Sequence, residues 1–299
     1  MLSDNNKGAL FMMSAMAVLT AAEAIQKTIG SQIPLFQMLF IRSIMGCVLL
    51  IPLSYVIGPI QFPADVRTNA ILFIRSLGDV GASFAYLAAI ISIPLANARA
   101  IVQILPLVMS LCAFFFLGER LGWRRISAIL VGLFGVLLIV KPGSEGFGLP
   151  ALLVLCAVGF SVVRDLGTRF VRPDINSLTV AAYATLMVAV CSGIASAFTA
   201  WDPVSVTQIG LIFVAAISLL AVYLFLILAM RYGQITFVAM FRYTGLLWAI
   251  FAGFIVFGDW PDSLTFVGAM LIVGSGVFVV YRERRLGQNT ASRSRDPLT

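Results

Sequence analysis

The sequence contains no histidine, so the commonest metal ligand and proton shuttle of proteins is absent. Its four cysteines, Cys47, Cys112, Cys156 and Cys191, lie far apart within apolar stretches. That placement is typical of small buried hydrophobic residues and excludes a disulfide framework or a metal-binding spacing. A GxxxxGK phosphate-binding loop is also missing, which argues against direct drive by ATP. We therefore predict neither a bound metal nor a cofactor.

Charge is scarce as well: 11% of the 299 residues are charged and 61% are hydrophobic, with a mean hydropathy of +1.03. These values exclude an ordinary soluble domain. Apolar stretches of about 20 residues recur ten times, and each is long enough to cross about 30 Å of hydrocarbon. We predict spans at 8–28, 34–55, 68–91, 94–117, 123–140, 148–170, 178–199, 206–230, 236–257 and 263–281. The predicted class is an all-α, multi-pass protein of the cell (inner) membrane, with the lipid bilayer as a partner.

The two halves of the chain echo each other. Residues 116–141 and 256–282 each contain a glycine followed by an acid, a short polar stretch and an apolar span. Such a duplication in a membrane protein is typical of two structural repeats with a site between them. Because five spans per repeat is an odd number, the second repeat is inverted. We predict repeats at 1–142 and 143–283, followed by a disordered basic cytoplasmic tail at 284–299.

The net charge of +7 is distributed unevenly. With a cytoplasmic N-terminus, the outside connections hold only Lys27 and Lys141. The other Lys and Arg residues outside the spans lie in the inside segments: Lys7, Arg67, Arg120, Arg124, Arg125, Arg169, Arg172, Arg231, Arg282, Arg284, Arg285, Arg293 and Arg295. An excess of Lys and Arg in short loops marks the cytoplasmic side. Both termini are therefore predicted to be cytoplasmic, and the basic charge indicates orientation rather than a nucleic-acid partner.

Several short motifs occur in a fixed order along the chain. They are FIR at 40–42, IPLANA at 93–98, PL at 106–107, LGERL at 117–121 and the segment 132–142. Over residues 8–283 the chain resembles the EamA-type branch of the drug/metabolite transporter superfamily, including its YddG-like amino-acid exporters. The second half departs from the pattern, with Gly258-Asp259 for Gly-Glu and no proline matching Pro106. The resemblance implies a secondary carrier of small metabolites, with a cavity between the first, third, fourth, sixth, eighth and ninth spans.

Ionisable side chains inside spans are costly and usually face a cavity or a partner. Eight are found here: Arg42, Arg75, Arg99, Arg164, Arg242, Glu23, Asp79 and Asp165. The arginines exceed the acids by two. Spacing of i, i+4 predicts intrahelical pairs between Arg75 and Asp79 and between Glu23 and Lys27. Arg164 and Asp165 are adjacent, and we expect each to have another partner.

Two helical stripes of polar residues identify candidate cavity residues. On the third span Arg75, Asp79 and Tyr86 share one face. On the fourth, Arg99 and Gln103 do so, and the nearby Pro106 interrupts the helical hydrogen bonding. A polar stripe on each of two consecutive spans indicates that both face one water-filled cavity.

The repeat alignment adds further candidates from the second half. Gln103 corresponds to Tyr243 when Gly118 is matched to Gly258, and inverted repeats bring such positions together near mid-membrane. Glu23 and Arg164 are approximate equivalents. The remaining aromatic and charged candidates for the cavity are Arg242, Tyr223 and Trp248. Aromatic residues in spans also act as packing or interface anchors.

Two classes of function fit a membrane-embedded chain. An intramembrane enzyme needs a nucleophile with a base, paired acids or a metal cluster, and no such constellation is present. We predict a carrier and no enzymatic activity. The excess positive charge favours a small substrate that carries a carboxylate, with export of amino acids, aromatic ones included, as the first choice. Uptake of S-adenosylmethionine, riboflavin or a similar metabolite is the alternative. Direction, coupling ion and oligomeric state stay open, and a monomer is compatible with the pattern.

Overall fold

The computed structural model describes residues 4–117, 123–141, 148–233 and 235–293, whose regular secondary structure is entirely helical. This confirms the predicted all-α class. The helices of the first half are α1 Asp4–Gly30, α2 Leu35–Ile57, α3 Val66–Ser92, α4 Leu95–Val102, α5 Leu105–Leu117 and α6 Trp123–Val140. Those of the second half are α7 Leu149–Arg169, α8 Ser177–Ser196, α9 Val206–Tyr232, α10 Ile235–Ala239, α11 Thr244–Ala252 and α12 Ser263–Arg293.

Eight helical segments of the described chain are long and apolar enough to cross a bilayer. They are Asp4–Gly30, Leu35–Val56, Val66–Ser92, Leu95–Cys112, Leu149–Arg169, Ser177–Ser196, Val206–Tyr232 and Phe237–Phe257. Two shorter apolar stretches, Ile126–Val140 and Ser263–Val279, coincide with the predicted fifth and tenth spans. The protein is thus a multi-pass integral membrane protein. The count of ten spans and the cytoplasmic location of both termini stay predictions.

Polar residues in the connections define where the long helices begin. The Asp65 carboxylate accepts hydrogen bonds from the backbone N–H groups of Arg67 and Thr68 at the start of α3. At the start of α9, Ser205 and Gln208 form a reciprocal capping box. Such side chains satisfy the N–H groups that the first helical turn leaves unpaired.

The packing of the helices repeats when the two halves are exchanged. The most extensive contacts join α3 to α7 and α1 to α9, and each of these pairs is the counterpart of the other. Helices α2 and α8, and likewise α6 and α12, pack against their own counterparts. This arrangement is that expected of two repeated halves related by a pseudo-two-fold axis.

Glycines allow the α3–α7 interface to close tightly. A Cβ atom at Gly78 would lie 2.7 Å from the backbone nitrogen of Arg164, and one at Gly81 would lie 2.4 Å from the Phe160 ring. Small residues are the usual means by which membrane helices approach closely. The close approach brings the polar face of α3 against Arg164 and its neighbours.

Both predicted central spans are broken rather than continuous. The fourth divides into α4 and α5 around Gln103, because Pro106 lacks the N–H that a continuous helix needs. In the ninth, a 3₁₀ turn at Met240–Tyr243 separates α10 from α11 without a proline. A π-helical turn at Gly253–Phe257 then ends at Gly258, whose φ of +70° is the left-handed conformation that glycine adopts readily.

The far end of the chain differs from the sequence prediction. Helix α12 continues to Arg293, well into the segment predicted to be disordered from residue 284. The segment after Tyr281 begins with residues 282–286, RERRL, which favour helix, and it extends a helix that is already nucleated. Residues 294–299 lie outside the described chain, as do Gly118 and Glu119 of the LGERL motif and Pro142. The repeat boundary at 142 therefore stays a prediction.

Candidate functional site

Four ion pairs between acids and arginines lie within the spans of the described chain, and three of them are close. Glu23 Oε2 lies 2.7 Å from Arg99 Nε, and Asp79 Oδ2 lies 2.5 Å from Arg75 Nη1. Asp165 Oδ1 lies 2.8 Å from Arg164 Nε. Each acid predicted to lie within a span therefore has an arginine partner, as expected for charges removed from water.

The Glu23–Arg99 pair joins α1 to α4 and is buried, at 6% and 8% exposure. The prediction that Glu23 pairs with Lys27 is wrong. The Lys27 ammonium donates instead to the Ile93 carbonyl oxygen at 2.5 Å, where α3 ends. Burial explains the choice, since the guanidinium of α4 meets the carboxylate inside the bundle while Lys27 lies nearer the end of α1. The Arg99 Nη2 atom is buried and makes no hydrogen bond.

Tyr86 lies beside this pair. Its hydroxyl is buried with no partner at full hydrogen-bond geometry, and the hydroxyl oxygen interacts electrostatically with both Glu23 and Arg99. A buried hydroxyl that is left unpaired costs free energy. The three side chains form one polar group between α1, α3 and α4.

The Arg75–Asp79 contact predicted from i, i+4 spacing is confirmed, and α7 enlarges it. Arg164 Nη1 lies 3.6 Å from Asp79 Oδ1, and Arg75 Nε donates to the Thr168 hydroxyl at 3.2 Å. The expectation of another partner is confirmed for Arg164, which reaches Asp79, but Asp165 pairs with its neighbour Arg164. A long guanidinium side chain can fold back along its own helix while a second nitrogen reaches α3.

Gln103 and the ninth span meet where both spans are broken. The Gln103 side-chain amide donates to the carbonyl oxygens of Tyr243 and Arg242, at 3.3 and 3.5 Å. A 3₁₀ turn satisfies backbone carbonyls less well than an α-helix, so a side-chain donor here is favourable. The repeat alignment thus predicts a pairing that the tertiary structure contains.

Tyr243 contributes its backbone to this contact, and its ring lies elsewhere. The ring is buried against α12, where a Cβ atom at Gly276 would lie 1.7 Å from the Tyr243 hydroxyl oxygen. Trp248 likewise lies away from the ion pairs: it lines an apolar groove of about 510 Å³ between α1, α9 and α11. Both aromatic rings therefore pack apart from the ion pairs.

Arg242 has a large exposed fraction although it follows α10 in the middle of a span. It forms no salt bridge within the described chain, and its nearest electrostatic partner among acids is Asp165, with Arg164 and Arg99 as like-charged neighbours. Arg242 is therefore a cation without a salt bridge in the described chain, and its electrostatic neighbours come from both groups of ion pairs.

A cavity with charged and polar side chains in its lining lies between α2, α3, α8 and α9. This cavity has a volume of about 280 Å³, and its polar lining includes Arg42, Ser83, Thr185 and Tyr223 with the Arg75–Asp79 pair. Arg42 is one of the five arginines within the predicted spans and is not among the predicted site residues. Its position in the FIR motif and the surplus of two arginines are the signals that could have selected it.

Comparison with known proteins follows the same division into halves. The EamA-like transporter family matches residues 6–141 and again residues 149–281. A crystal structure of another protein has the same fold, with a TM-score of 0.64 and 20% identity over 94% of this chain and 99% of that one.

Three relatives have named activities. The S-adenosylmethionine uptake transporter of Rickettsia bellii is 26% identical, over 89% of this chain and 90% of that protein. The pseudopaline exporter CntI of Pseudomonas aeruginosa is 27% identical, over 89% and 93%. The riboflavin transporter of Rhizobium johnstonii is 31% identical, over 67% of each chain. With both halves matched, the chain is a membrane transporter and not an enzyme, and it belongs to the EamA-like transporter family.

Proposed function

We propose that this transporter moves small metabolites that carry a carboxylate, by alternating access between its two inverted halves in the bacterial inner membrane. One observation carries the proposal. Within the described chain, the three acids in the spans are paired with Arg99, Arg75 and Arg164, which leaves Arg42 and Arg242 without a salt bridge. Uncompensated cations inside a membrane protein favour an anionic ligand.

The broken spans support a binding role for the centre of the molecule. Discontinuous helices expose backbone groups near mid-membrane, and carriers with inverted repeats commonly bind substrate at such breaks. Gln103 and Arg242 lie at these breaks, and the Glu23–Arg99 and Arg164–Asp165 pairs lie on the elements beside them. In this proposal Arg242 attracts the carboxylate and Gln103 orients the substrate.

Two candidate substrates, amino acids and S-adenosylmethionine, share the carboxylate that the proposal requires. Amino acids, including aromatic ones, are our first choice, and export is the proposed direction. S-adenosylmethionine is the second choice because a relative that covers nearly the whole chain takes it up. Both contain a carboxylate beside an amino group. Riboflavin, the substrate of another relative, has no carboxylate and serves as the contrasting solute.

Transport by the purified protein in liposomes tests the proposal. Labelled phenylalanine, S-adenosylmethionine and riboflavin are placed on either side, and the intact solute that crosses is counted. We expect a carboxylate-bearing solute to cross, and Arg242→Gln to slow it at least about tenfold because a charged hydrogen bond is lost. Arg67→Gln, at an exposed position where α3 begins, is the matched control. Failure of all three solutes to cross would reject the proposal.

A further inference from the structure

The cavity between α2, α3, α8 and α9 contains a cation that forms no salt bridge with any acid of the described chain. Arg42 lines it, and the Arg42 Nη1 atom donates to the side-chain oxygen of Gln26 on α1. Its other guanidinium nitrogens make no hydrogen bond to any described residue. A neutral amide satisfies one donor and leaves the charge in place, so Arg42 retains the capacity to bind an anion.

The other charges of the cavity do not compensate Arg42. Arg75 and Asp79 also line it, and they are paired with each other at 2.5 Å. The second carboxylate oxygen of Asp79 faces Arg164 at 3.6 Å. The only acid in the lining is therefore shared between two other arginines, and the cavity as a whole is positive.

A second unsatisfied group lies in the same lining. The Tyr223 hydroxyl on α9 is buried and has no partner at full hydrogen-bond geometry, and the Ser177 side chain is its polar neighbour. A buried hydroxyl usually has a partner. Arg42 and Tyr223 come from different halves of the chain, so a ligand that met both would bridge the halves.

From these observations we propose that the α2–α3–α8–α9 cavity is a carboxylate-binding subsite, in which the Arg42 guanidinium holds the carboxylate and the Tyr223 hydroxyl donates a hydrogen bond to it. The inference rests on the proposed function and adds a second binding place for the substrate's carboxylate, apart from the one at Arg242. Arginine presents a planar fork that matches the two oxygens of a carboxylate.

The size and the remaining lining of the cavity indicate what accompanies the carboxylate. A volume of about 280 Å³ is at the lower limit of typical small-molecule sites, which are about 300–1,000 Å³. Ala184, Leu219 and Leu220 contribute apolar atoms to the lining. An amino-acid-sized group with a short apolar part fits this chemistry.

Binding to the purified full-length protein in lipid nanodiscs tests the subsite. Titration calorimetry compares phenylalanine with phenylalaninamide, and S-adenosylmethionine with its decarboxylated form. We expect the wild type to bind at least one acid about tenfold or more tightly than its counterpart without the carboxylate, and Arg42→Gln to abolish that preference. Arg42→Lys keeps the positive charge but lacks the planar fork of guanidinium donors, so it should retain part of the preference for the acid. Tyr223→Phe should weaken binding of the acid and leave binding of the counterpart unchanged.

Two control variants match these changes. Arg67→Gln removes an exposed arginine, and Tyr183→Phe removes a hydroxyl that already donates to Asn69 outside the cavity. Both should keep the wild-type preference. If the Arg42 variants do not fold, the Tyr223→Phe variant tests the subsite instead. In that case an equal loss of affinity for the acid and for its counterpart would overturn the subsite.

The outcomes separate this inference from the proposed function. A wild type that shows no preference for either acid, or an Arg42→Gln protein that keeps the preference, overturns the subsite. Riboflavin transport without such a preference would leave the protein a carrier and still overturn the subsite. Absence of any transport in liposomes rejects the proposed function itself.

Discussion

The side chain of Gln103 and the backbone of Tyr243 meet in the centre of the molecule, with 3.3 Å between the amide nitrogen and the carbonyl oxygen. Each residue lies where its span departs from α-helical geometry. A donor from one half thus supports the interrupted backbone of the other. Movement of one half against the other would have to lengthen or break this contact.

The loss of stability on replacing Gln103 should depend on the hydrogen-bonding capacity of the new side chain. Gln103→Leu removes the donor and should lower the free energy of unfolding by about 1 kcal/mol. Gln103→Glu keeps the shape but turns an acceptor toward two carbonyl oxygens, so it should cost more. Thermal unfolding in detergent measures both. A Glu variant as stable as the wild type would contradict the contact.

Loss of Asp79 should destabilise the protein more than loss of Arg75. Asp79→Ala leaves Arg75 unpaired, and breaking a buried ion pair from one side typically costs about 3–5 kcal/mol. Arg75→Gln should lower the free energy of unfolding less, because Asp79 still has Arg164 as a partner at 3.6 Å. The double variant should recover much of the folded yield lost by Asp79→Ala. Strict additivity of the two single effects would show that they are not partners, and a stable double variant without transport would place the pair in the mechanism.

Two glycines in α12 should respond oppositely to alanine. A Cβ atom at Gly276 would lie 1.7 Å from the Tyr243 hydroxyl, whereas one at Gly274 meets nothing within 4 Å. Gly276→Ala should destabilise the protein by about 1–3 kcal/mol through overpacking. Gly274→Ala should be neutral or stabilising by up to about 1 kcal/mol because alanine favours helix. Equal melting temperatures of the two variants would contradict the packing of Tyr243.

The Lys141–Asp262 contact should make stability depend on pH. A hydrogen bond from Lys141, with a further one from the Thr265 backbone N–H, lowers the pKa of Asp262 below its ordinary value of 3.8. A group whose pKa is lower in the folded state stabilises above its unfolded pKa, and this contribution is lost as pH falls through the folded value. The wild type should therefore lose stability below about pH 4.

Asp262→Asn is the matched variant for this effect. Asparagine can still accept the Thr265 N–H as a helix cap, but it does not titrate. The difference in melting temperature between wild type and variant should shrink as pH falls from 6 toward 3, in roughly the range of carboxyl titration. A difference that is independent of pH would contradict the assignment.

Labelling of single cysteines tests the predicted topology. In a background that lacks the four native cysteines, cysteines in the 28–33 and 200–205 connections should react with an impermeant reagent added outside intact cells. A cysteine in the 294–299 segment should react only after the membrane is permeabilised. Reaction of that last cysteine from outside would reverse the orientation that the arginines predict.

Local features of the sequence were sufficient for the class of protein and the division into halves. Apolar runs of about 20 residues must be helical in a bilayer, since the backbone has no water to bond. The Arg75–Asp79 contact follows from spacing within one helix, and Gln103 opposite Tyr243 follows from the repeat.

Contacts between helices depend on which faces pack together, and the tertiary structure alone decided them. Glu23 pairs with Arg99 across 76 residues of chain rather than with Lys27. Arg164 forms ion pairs with both Asp165 and Asp79, because glycines bring α7 close to α3. Arg42 is the clearest case: the sequence contains two more arginines than acids within the spans, but only the packing determines which arginines remain without an acid.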